Sequence, residues 1–111
     1  LIEGEAWVRV TFAEKPERLV VRLARLALEA GLDGVVAAPT EVTLLRSELG
    51  SKFTILTPGI RLAGGQAQDQ VRIATPDQAV RDGADYIVVG RPITQAEDPA
   101  LTARAIVRML E

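Results

Sequence analysis

Between Thr57 and Pro76 the chain reads TPGIRLAGGQAQDQVRIATP, and the order of the other elements can be read outward from this stretch. It follows the apolar run Phe53–Leu56, which predicts a buried strand. It ends where Thr75 suits the N-cap and Pro76 the first turn of a helix. The stretch is too polar for the core, and most strand-to-helix connections take about 2 to 6 residues. The sequence therefore predicts a functional loop over residues 57–76.

The side chains of this loop suit an anion. Its glycines let backbone N–H groups approach a ligand, and Arg61, Gln70 and Arg72 supply hydrogen-bond donors. We interpret residues 57–76 as a phosphate-gripping loop. Two plainer interpretations stay open at this point: Gln70 as a solvated loop residue, and pairing of Arg61 and Arg72 with Asp69 to order the loop.

Composition bounds the class of protein. With 111 residues, 48% apolar and 25% charged, the chain is predicted to form a single domain over residues 1–111. The lack of Cys and His excludes disulfides, thiolate chemistry, Ser-His-Asp triads and zinc sites built on those residues. A net charge of −2 argues against a nucleic-acid partner. No apolar run approaches the roughly 18 residues of a membrane span, and no signal pattern opens the chain, so a cytoplasmic location without a membrane partner is predicted.

Four strand–helix units are predicted. The strands are expected at Ala6–Phe12, Leu32–Ala38, Phe53–Leu56 and Asp85–Val89. The helices are expected to start at Pro16, at Thr40 as a cap, at Pro76 and at Asp98-Pro99. The first helix repeats apolar residues at helical spacing until Gly31, namely Leu19, Val20, Leu23, Leu26, Ala27 and Ala30. Strand Leu32–Ala38 is expected to be buried on both faces. The alternation predicts an α/β fold with a parallel sheet.

A weak internal sequence repeat favours a barrel. Gly31–Pro39 and Gly83–Pro92 share a Gly-x-Asp opening, an apolar strand and a trailing Pro, two units apart. A TIM (β/α)8 barrel takes about 250 residues, so four units correspond to half of one. The fold is therefore predicted to be a half-barrel, with a flavodoxin-like open sheet as the alternative.

A second polar turn, Gly90-Arg91-Pro92-Ile93, follows the next strand along the chain. Both polar stretches thus follow the carboxyl ends of consecutive parallel strands, the edge at which ligands bind in barrels and open sheets. Gly90 would let the backbone approach a phosphate, and Arg91 could hold its oxygens. The alternative for Arg91 is a salt bridge with an acid on the rim.

No catalytic acid–base cluster is predicted. Asp33 and Asp85 each follow a helix-stopping Gly at the amino end of a strand, the edge associated with stability, so we expect structural roles. Lys15 lies in the first strand-to-helix turn. Lys52 precedes a strand, and therefore lies on the face away from the ligand edge. Trp7 is expected to pack.

The motifs Thr57-Pro58-Gly59-Ile60-Arg61, Asp69-Gln70-Val71-Arg72, Thr75-Pro76 and Gly90-Arg91-Pro92-Ile93-Thr94 occur together in this order. With Gly31-Leu32-Asp33-Gly34-Val35-Val36 and the Asp98-Pro99 ending, they closely resemble orotidine 5'-phosphate decarboxylase, specifically its carboxy-terminal half, over about 85 residues. The resemblance implies a TIM barrel that converts orotidine 5'-phosphate to uridine 5'-phosphate without a cofactor, as a dimer.

By the same resemblance, Arg61, Gln70, Gly90 and Arg91 match the positions that hold the substrate phosphate. Residues 57–72 match the loop that closes over it, and Thr11 matches a substrate-contacting Thr. The family's catalytic Asp and Lys array lies in the amino-terminal half, which these residues do not include, so the chain alone is expected to lack activity.

Further expectations concern partners and origin. A half-barrel leaves open edges, which predicts pairing with a second copy or a complementing half-barrel. The short connection at Ala13-Glu14-Lys15 departs from the family and suits an engineered or trimmed fragment, or an incomplete natural chain. The alternative function is a designed or recombined structural domain with inherited but unused site residues. A third is an enzyme made by two chains sharing one barrel.

Overall fold

The computed structural model describes residues 15–62 and 74–111. The predicted strand Ala6–Phe12, Trp7, Thr11 and Gln70 lie outside these ranges. The helices are α1 Pro16–Glu29, a 3-10 turn Pro39–Glu41, α2 Val42–Leu49, α3 Pro76–Asp82, α4 Arg91–Thr94 and α5 Pro99–Met109. The strands are β1 Gly34–Val36, β2 Thr54–Thr57 and β3 Tyr86–Ile87.

The described strands form one parallel sheet in the order β1-β2-β3. Val36 lies opposite Leu56, and Leu56 lies opposite Tyr86. The predicted parallel α/β arrangement is therefore confirmed. In a flavodoxin-like sheet whose first strand is Ala6–Phe12, that strand would separate β1 from β2, so the observed direct pairing contradicts the open-sheet alternative.

Helix α1 packs its apolar side on α2 and β1. Pro16 occupies the first turn, where its missing N–H has no helical partner to lose. The buried positions are Leu19, Val21 and Ala24, whereas Leu23 and Leu26 are each 51% exposed among the described residues. The predicted buried face was thus wrong in part. Apolar residues cover more than half of the circumference of this helix, so spacing alone did not fix which of them face the core.

Two apolar clusters hold the described elements together. The larger lies between α1, α2 and the β1–β2 pair and consists of Val21, Ala24, Ala37, Val42, Leu45, Phe53 and Ile55. The smaller joins the start of the loop after β2 to α3 and β3 and consists of Ile60, Ala79 and Ala84. The second cluster is important for the site, because it fixes the loop residue Ile60 inside the core.

Several boundaries differ from the sequence prediction. Thr57, expected to begin the loop, is the last residue of β2 and is fully buried, as is Ile60. Polar composition misplaced them because the average over the whole stretch hides the inward packing of these two residues. Thr40 lies in the 3-10 turn rather than capping α2, whose preceding residue is Glu41. Pro39 tightens this entry into the helix.

The structure departs most from the sequence prediction at the face of the sheet opposite the helices. Val36 is 71% exposed and Tyr86 63% exposed, and they flank half-buried Leu56 in one row across the strands. The predicted burial on both faces of strand Leu32–Ala38, which contains β1, was therefore wrong. Within the described part of the chain, helices cover only one face of the sheet. Across residues 15–62 and 74–111, every helix is too short or too polar to cross a membrane.

Candidate functional site

The carboxyl ends of β2 and β3 lie side by side. The amide of Val88 donates to the carbonyl of Thr57 at 2.9 Å, directly after β3 and at the end of β2. The loop that leads to Arg61 and the turn that begins at Gly90 therefore start from neighbouring points on one edge. This is the arrangement that the strand order predicted for the two polar stretches.

The long loop is closed at its base. Ile60 and Ala74 form a parallel bridge, and the Arg61 amide donates to the Ala74 carbonyl at 2.9 Å. Ile60 is fully buried against Ala79 and Ala84. We call these two paired ends, Ile60-Arg61 and Ala74-Thr75, the neck of the loop. The neck fixes the start of the loop to the core, and Gln70 and Arg72 lie beyond it, outside the described residues.

Arg61 and Arg91 bring two guanidinium groups to this edge. Arg61 is half-buried, and its Nη1 donates to the Ile60 carbonyl at 2.9 Å. Arg91 is exposed at the first position of α4, a single helical turn rather than the simple polar turn predicted. The Gly90 carbonyl accepts the amides of Ile93 and Thr94. The edge therefore carries positive charge beside backbone that is open to approach at Gly90, where, apart from the adjoining residues, no described atom lies within 4 Å of the Cβ position.

The amino edge of the same strands is occupied by one arginine. Arg46 of α2 donates from Nη2 to Asp85 Oδ2 at 2.7 Å, and from Nε to the Gly83 carbonyl at 2.9 Å. Its Nη1 donates to the Phe53 carbonyl at 2.8 Å, and its guanidinium carbon lies 4.7 Å from the centre of the Phe53 ring. Asp85 Oδ2 also accepts the Ile55 amide at 2.9 Å. The predicted structural role of Asp85 is confirmed.

Asp33 and Lys52 lie at the edge of the sheet opposite the two polar loop starts. The Asp33 carbonyl accepts the Thr54 amide at 3.1 Å, which places it at the amino end of the sheet. Lys52 precedes β2 at that same end, and Lys15 precedes α1. No group of three or more acidic side chains with metal-ligand geometry occurs among residues 15–62 and 74–111.

One ionisable group near the neck is perturbed. The pKa of Asp77, in the first turn of α3, lies below its ordinary value of 3.8, chiefly because the Thr75 hydroxyl bonds the carboxylate and secondarily because of its own backbone N–H and Arg81. Arg81 Nη1 lies 3.0 Å from Asp77 Oδ2 on the helix surface. Thr75 does occupy the predicted N-cap position, but its side chain makes no capping bond to the helix.

An apolar cavity of about 200 Å³ lies elsewhere, between α1, α2 and β1. Its lining includes Val20, Leu23, Val36 and Leu45. The remaining lining residues are Ala24, Val35, Ala37 and Glu41, and a carboxylate among apolar side chains disfavours a phosphate, so the cavity is not the predicted anion site.

Sequence reasoning missed Arg46 and the buried role of Thr57. Arg46 lies 39 positions from Asp85, and no local pattern connects the two. The hydroxyl of Thr57 donates to the Ala37 carbonyl across the sheet. The proline that follows Thr57 was the available signal, because a strand that runs into proline loses a backbone donor.

Comparison with known proteins agrees with the architecture. The sequence model of the orotidine 5'-phosphate decarboxylase / HUMPS family matches residues 3–106. Orotidine 5'-phosphate decarboxylase from Actinobacillus succinogenes is 58% identical over 91 residues, which cover 82% of this chain and 39% of the relative. The enzyme of that name from Pelobacter propionicus is 52% identical over 104 residues, which cover 94% of this chain and 43% of the relative.

Solved structures give the same result. The crystal structure of orotidine 5'-phosphate decarboxylase from Lactobacillus acidophilus superposes with a TM-score of 0.81 at 34% identity, over 99% of this chain and 45% of that one. The corresponding structure from Pyrococcus horikoshii OT3 gives a TM-score of 0.68 at 34% identity, over 88% of this chain and 44% of that one. The chain thus spans about two fifths of the length of its curated relatives, and its fold is half of a TIM barrel. This chain belongs to the orotidine 5'-phosphate decarboxylase / HUMPS family.

Proposed function

We propose that these residues form the phosphate-binding half of an orotidine 5'-phosphate decarboxylase, which converts orotidine 5'-phosphate to uridine 5'-phosphate in pyrimidine biosynthesis without a cofactor. In this proposal Arg61, Gln70, Gly90 and Arg91 hold the phosphate of the substrate, and Thr11 contacts the remainder of it. The observation that carries the proposal is the adjacency of two loop starts, joined by the Val88–Thr57 hydrogen bond, at the edge where barrels bind phosphate.

The charge at this edge supports an anionic ligand. Two arginines, Arg61 and Arg91, follow neighbouring strands, and a guanidinium can donate two parallel hydrogen bonds to phosphate oxygens. Gly90 leaves open space beside its backbone, so a phosphate oxygen could approach closely. A remote phosphate matters for rate as well as affinity, because binding energy far from the reacting atoms can stabilise the transition state.

We propose that the 111 residues bind uridine 5'-phosphate weakly and do not decarboxylate on their own. Of the two lysines in the sequence, Lys52 precedes β2 at the amino edge, and Lys15 precedes α1; the sequence shows no carboxylate–lysine cluster around either. Proton transfer at the pyrimidine would require an acid or base at that edge, within hydrogen-bond reach of the substrate.

A titration of the isotope-labelled chain with uridine 5'-phosphate, followed by backbone amide shifts, tests the proposal. We expect the amides of Arg61, Gly90 and Arg91 to shift together and saturate. Arg91→Met should weaken binding about ten-fold, whereas Arg104→Met, a matched change on exposed α5, should not. A well-dispersed spectrum in which those amides stay still would favour the structural-domain alternative.

The row Val36, Leu56 and Tyr86 supports a protein partner as well. An apolar face on the side of the sheet away from the helices is the side that a closed barrel covers. We propose that a complementing half-barrel or a second copy of this chain covers it. Sedimentation distinguishes the two: a dimer of the chain alone indicates a second copy. A monomer that gains decarboxylase activity with the amino-terminal half of the Actinobacillus succinogenes relative indicates the half-barrel, and a monomer that binds neither argues against both.

A further inference from the structure

The β1–β2 ladder stops at a proline, and a side chain takes over the next hydrogen bond. The Thr54 amide donates to the Asp33 carbonyl at 3.1 Å, and the Ala37 amide donates to the Leu56 carbonyl at 3.1 Å. In a parallel ladder of this register the next donor would be the amide of residue 58, and the acceptor would be the Ala37 carbonyl. Residue 58 is proline, which has no N–H.

The hydroxyl of Thr57 fills this gap. Thr57 Oγ1 donates to the Ala37 carbonyl, and the Thr57 side chain is fully buried. The main chain of the same residue bonds the other neighbour, because the Thr57 carbonyl accepts the Val88 amide at 2.9 Å. One residue therefore ties the carboxyl ends of all three described strands together. Without this hydroxyl, the Ala37 carbonyl would lack the ladder hydrogen bond that Pro58 cannot donate.

Only three residues, Pro58, Gly59 and Ile60, separate Thr57 from Arg61. Pro58 fixes its own φ, and Gly59 turns the chain with φ of 76°, a value that side-chain-bearing residues rarely adopt. Ile60 then inserts fully into the smaller core cluster, and the Arg61 amide bonds Ala74 across the neck. The position of the Arg61 backbone is thus set by two anchors, the Thr57 hydroxyl at one end and the neck at the other.

We propose that Thr57 is a positioning residue of the phosphate subsite. Its hydroxyl fixes where residues 58–60 leave the sheet relative to β1. Its carbonyl fixes β3, which leads to Gly90, in register with that point. Loss of the hydroxyl would let the two loop starts move relative to each other. The ligand in this inference rests on the proposed function, but the hold of Thr57 on the neck does not.

Three variants of the 111-residue chain test the inference. Thr57→Val removes the hydroxyl at nearly constant shape, Thr57→Ser keeps it, and Thr54→Val makes the same change at the other end of β2. The first measurement is the dissociation constant for uridine 5'-phosphate. We expect Thr57→Val to weaken binding about ten-fold, and Thr57→Ser and Thr54→Val to bind within about two-fold of the parent.

The second measurement is native-state amide exchange, which needs no ligand. In Thr57→Val the amides of Arg61 and Val88 should exchange at least five-fold faster relative to the Asp85 amide, which bonds Ile55 at the amino edge. The inference would be overturned if amide exchange in Thr57→Val accelerated equally at Arg61, Val88 and Asp85. It would also be overturned if the folded variant bound uridine 5'-phosphate as tightly as the parent. In either case Thr57 would contribute only to general stability. If the parent itself does not bind, the proposed function fails, and the exchange ratio alone decides the role of Thr57.

Discussion

The two edges of the β2–β3 pair use arginine in opposite ways. At the amino edge the Arg46 side chain is only 17% exposed, and the protein itself supplies its acceptors, Asp85 and backbone carbonyls. At the carboxyl edge Arg91 is exposed at the start of a single helical turn, and Arg61 is half-buried at the base of the long loop. The same residue type therefore holds strands together at the amino edge, whereas at the carboxyl edge Arg91 is exposed, and there we propose that it meets a ligand.

Substitution of glycine by alanine should give the largest difference in stability between the amino and carboxyl edges. A Cβ on Gly34, at the amino end of β1, would lie 2.1 Å from the Thr54 carbonyl oxygen, a backbone atom that cannot move without parting β1 from β2. We expect Gly34→Ala to lose about 4 kcal/mol or more of unfolding free energy. Gly90→Ala meets open space and should lose less than about 1 kcal/mol while weakening uridine 5'-phosphate binding. Urea unfolding and the same titration check both, and equal destabilisation would contradict the comparison.

Removal of the Arg46 guanidinium should have the next largest effect. Arg46→Met keeps the stem but leaves Asp85 and the carbonyls of Gly83 and Phe53 without this donor, so we expect a loss of about 3 kcal/mol. Thermal unfolding gives the measurement. Arg81→Met, which removes an exposed helix-surface pair, should change stability by less than about 0.5 kcal/mol. The folded fraction of Arg46→Met should still bind uridine 5'-phosphate, and loss of binding would show that the amino edge also shapes the site.

Two fully buried isoleucines allow a finer comparison. Ile55 belongs to the larger cluster and Ile60 to the smaller one at the neck. Either change to Val removes one methylene and should destabilise by about 1 kcal/mol. Only Ile60→Val is expected to weaken phosphate binding, because Ile60 directly precedes Arg61. Chemical denaturation and titration of both variants decide this, and similar affinity losses would show that the neck has no special role.

Sequence alone predicted the order of the elements and the adjacency of the two polar loop starts at one edge of the sheet. Proline at helix starts, glycine at helix ends and apolar runs between them are local signals, so the α1 and α3 boundaries and the strand order followed from them. It did not predict the Arg46–Asp85 pair, because 39 residues separate the partners. It also assigned Thr57 and Ile60 to the polar loop, because composition averages over a segment and does not reveal that its first residues are buried.

The ion pair at the carboxyl edge should give the smallest effect, and it tests whether hydrogen bonding or charge governs that edge. The pKa of Asp77 is lowered first by the Thr75 hydroxyl and less by Arg81, so Thr75→Val should raise it toward 3.8 by more than Arg81→Met does. Carboxyl-carbon NMR titration of the three proteins measures this, and the reverse order would mean that charge dominates. A carboxyl whose pKa is lowered in the folded state stabilises the fold at pH values above its ordinary, unfolded-state pKa. This contribution disappears as the pH falls through the folded-state pKa. Asp77→Asn should therefore lower the melting temperature slightly at about pH 7 but not at about pH 2, because in acid the parent carboxyl is itself protonated.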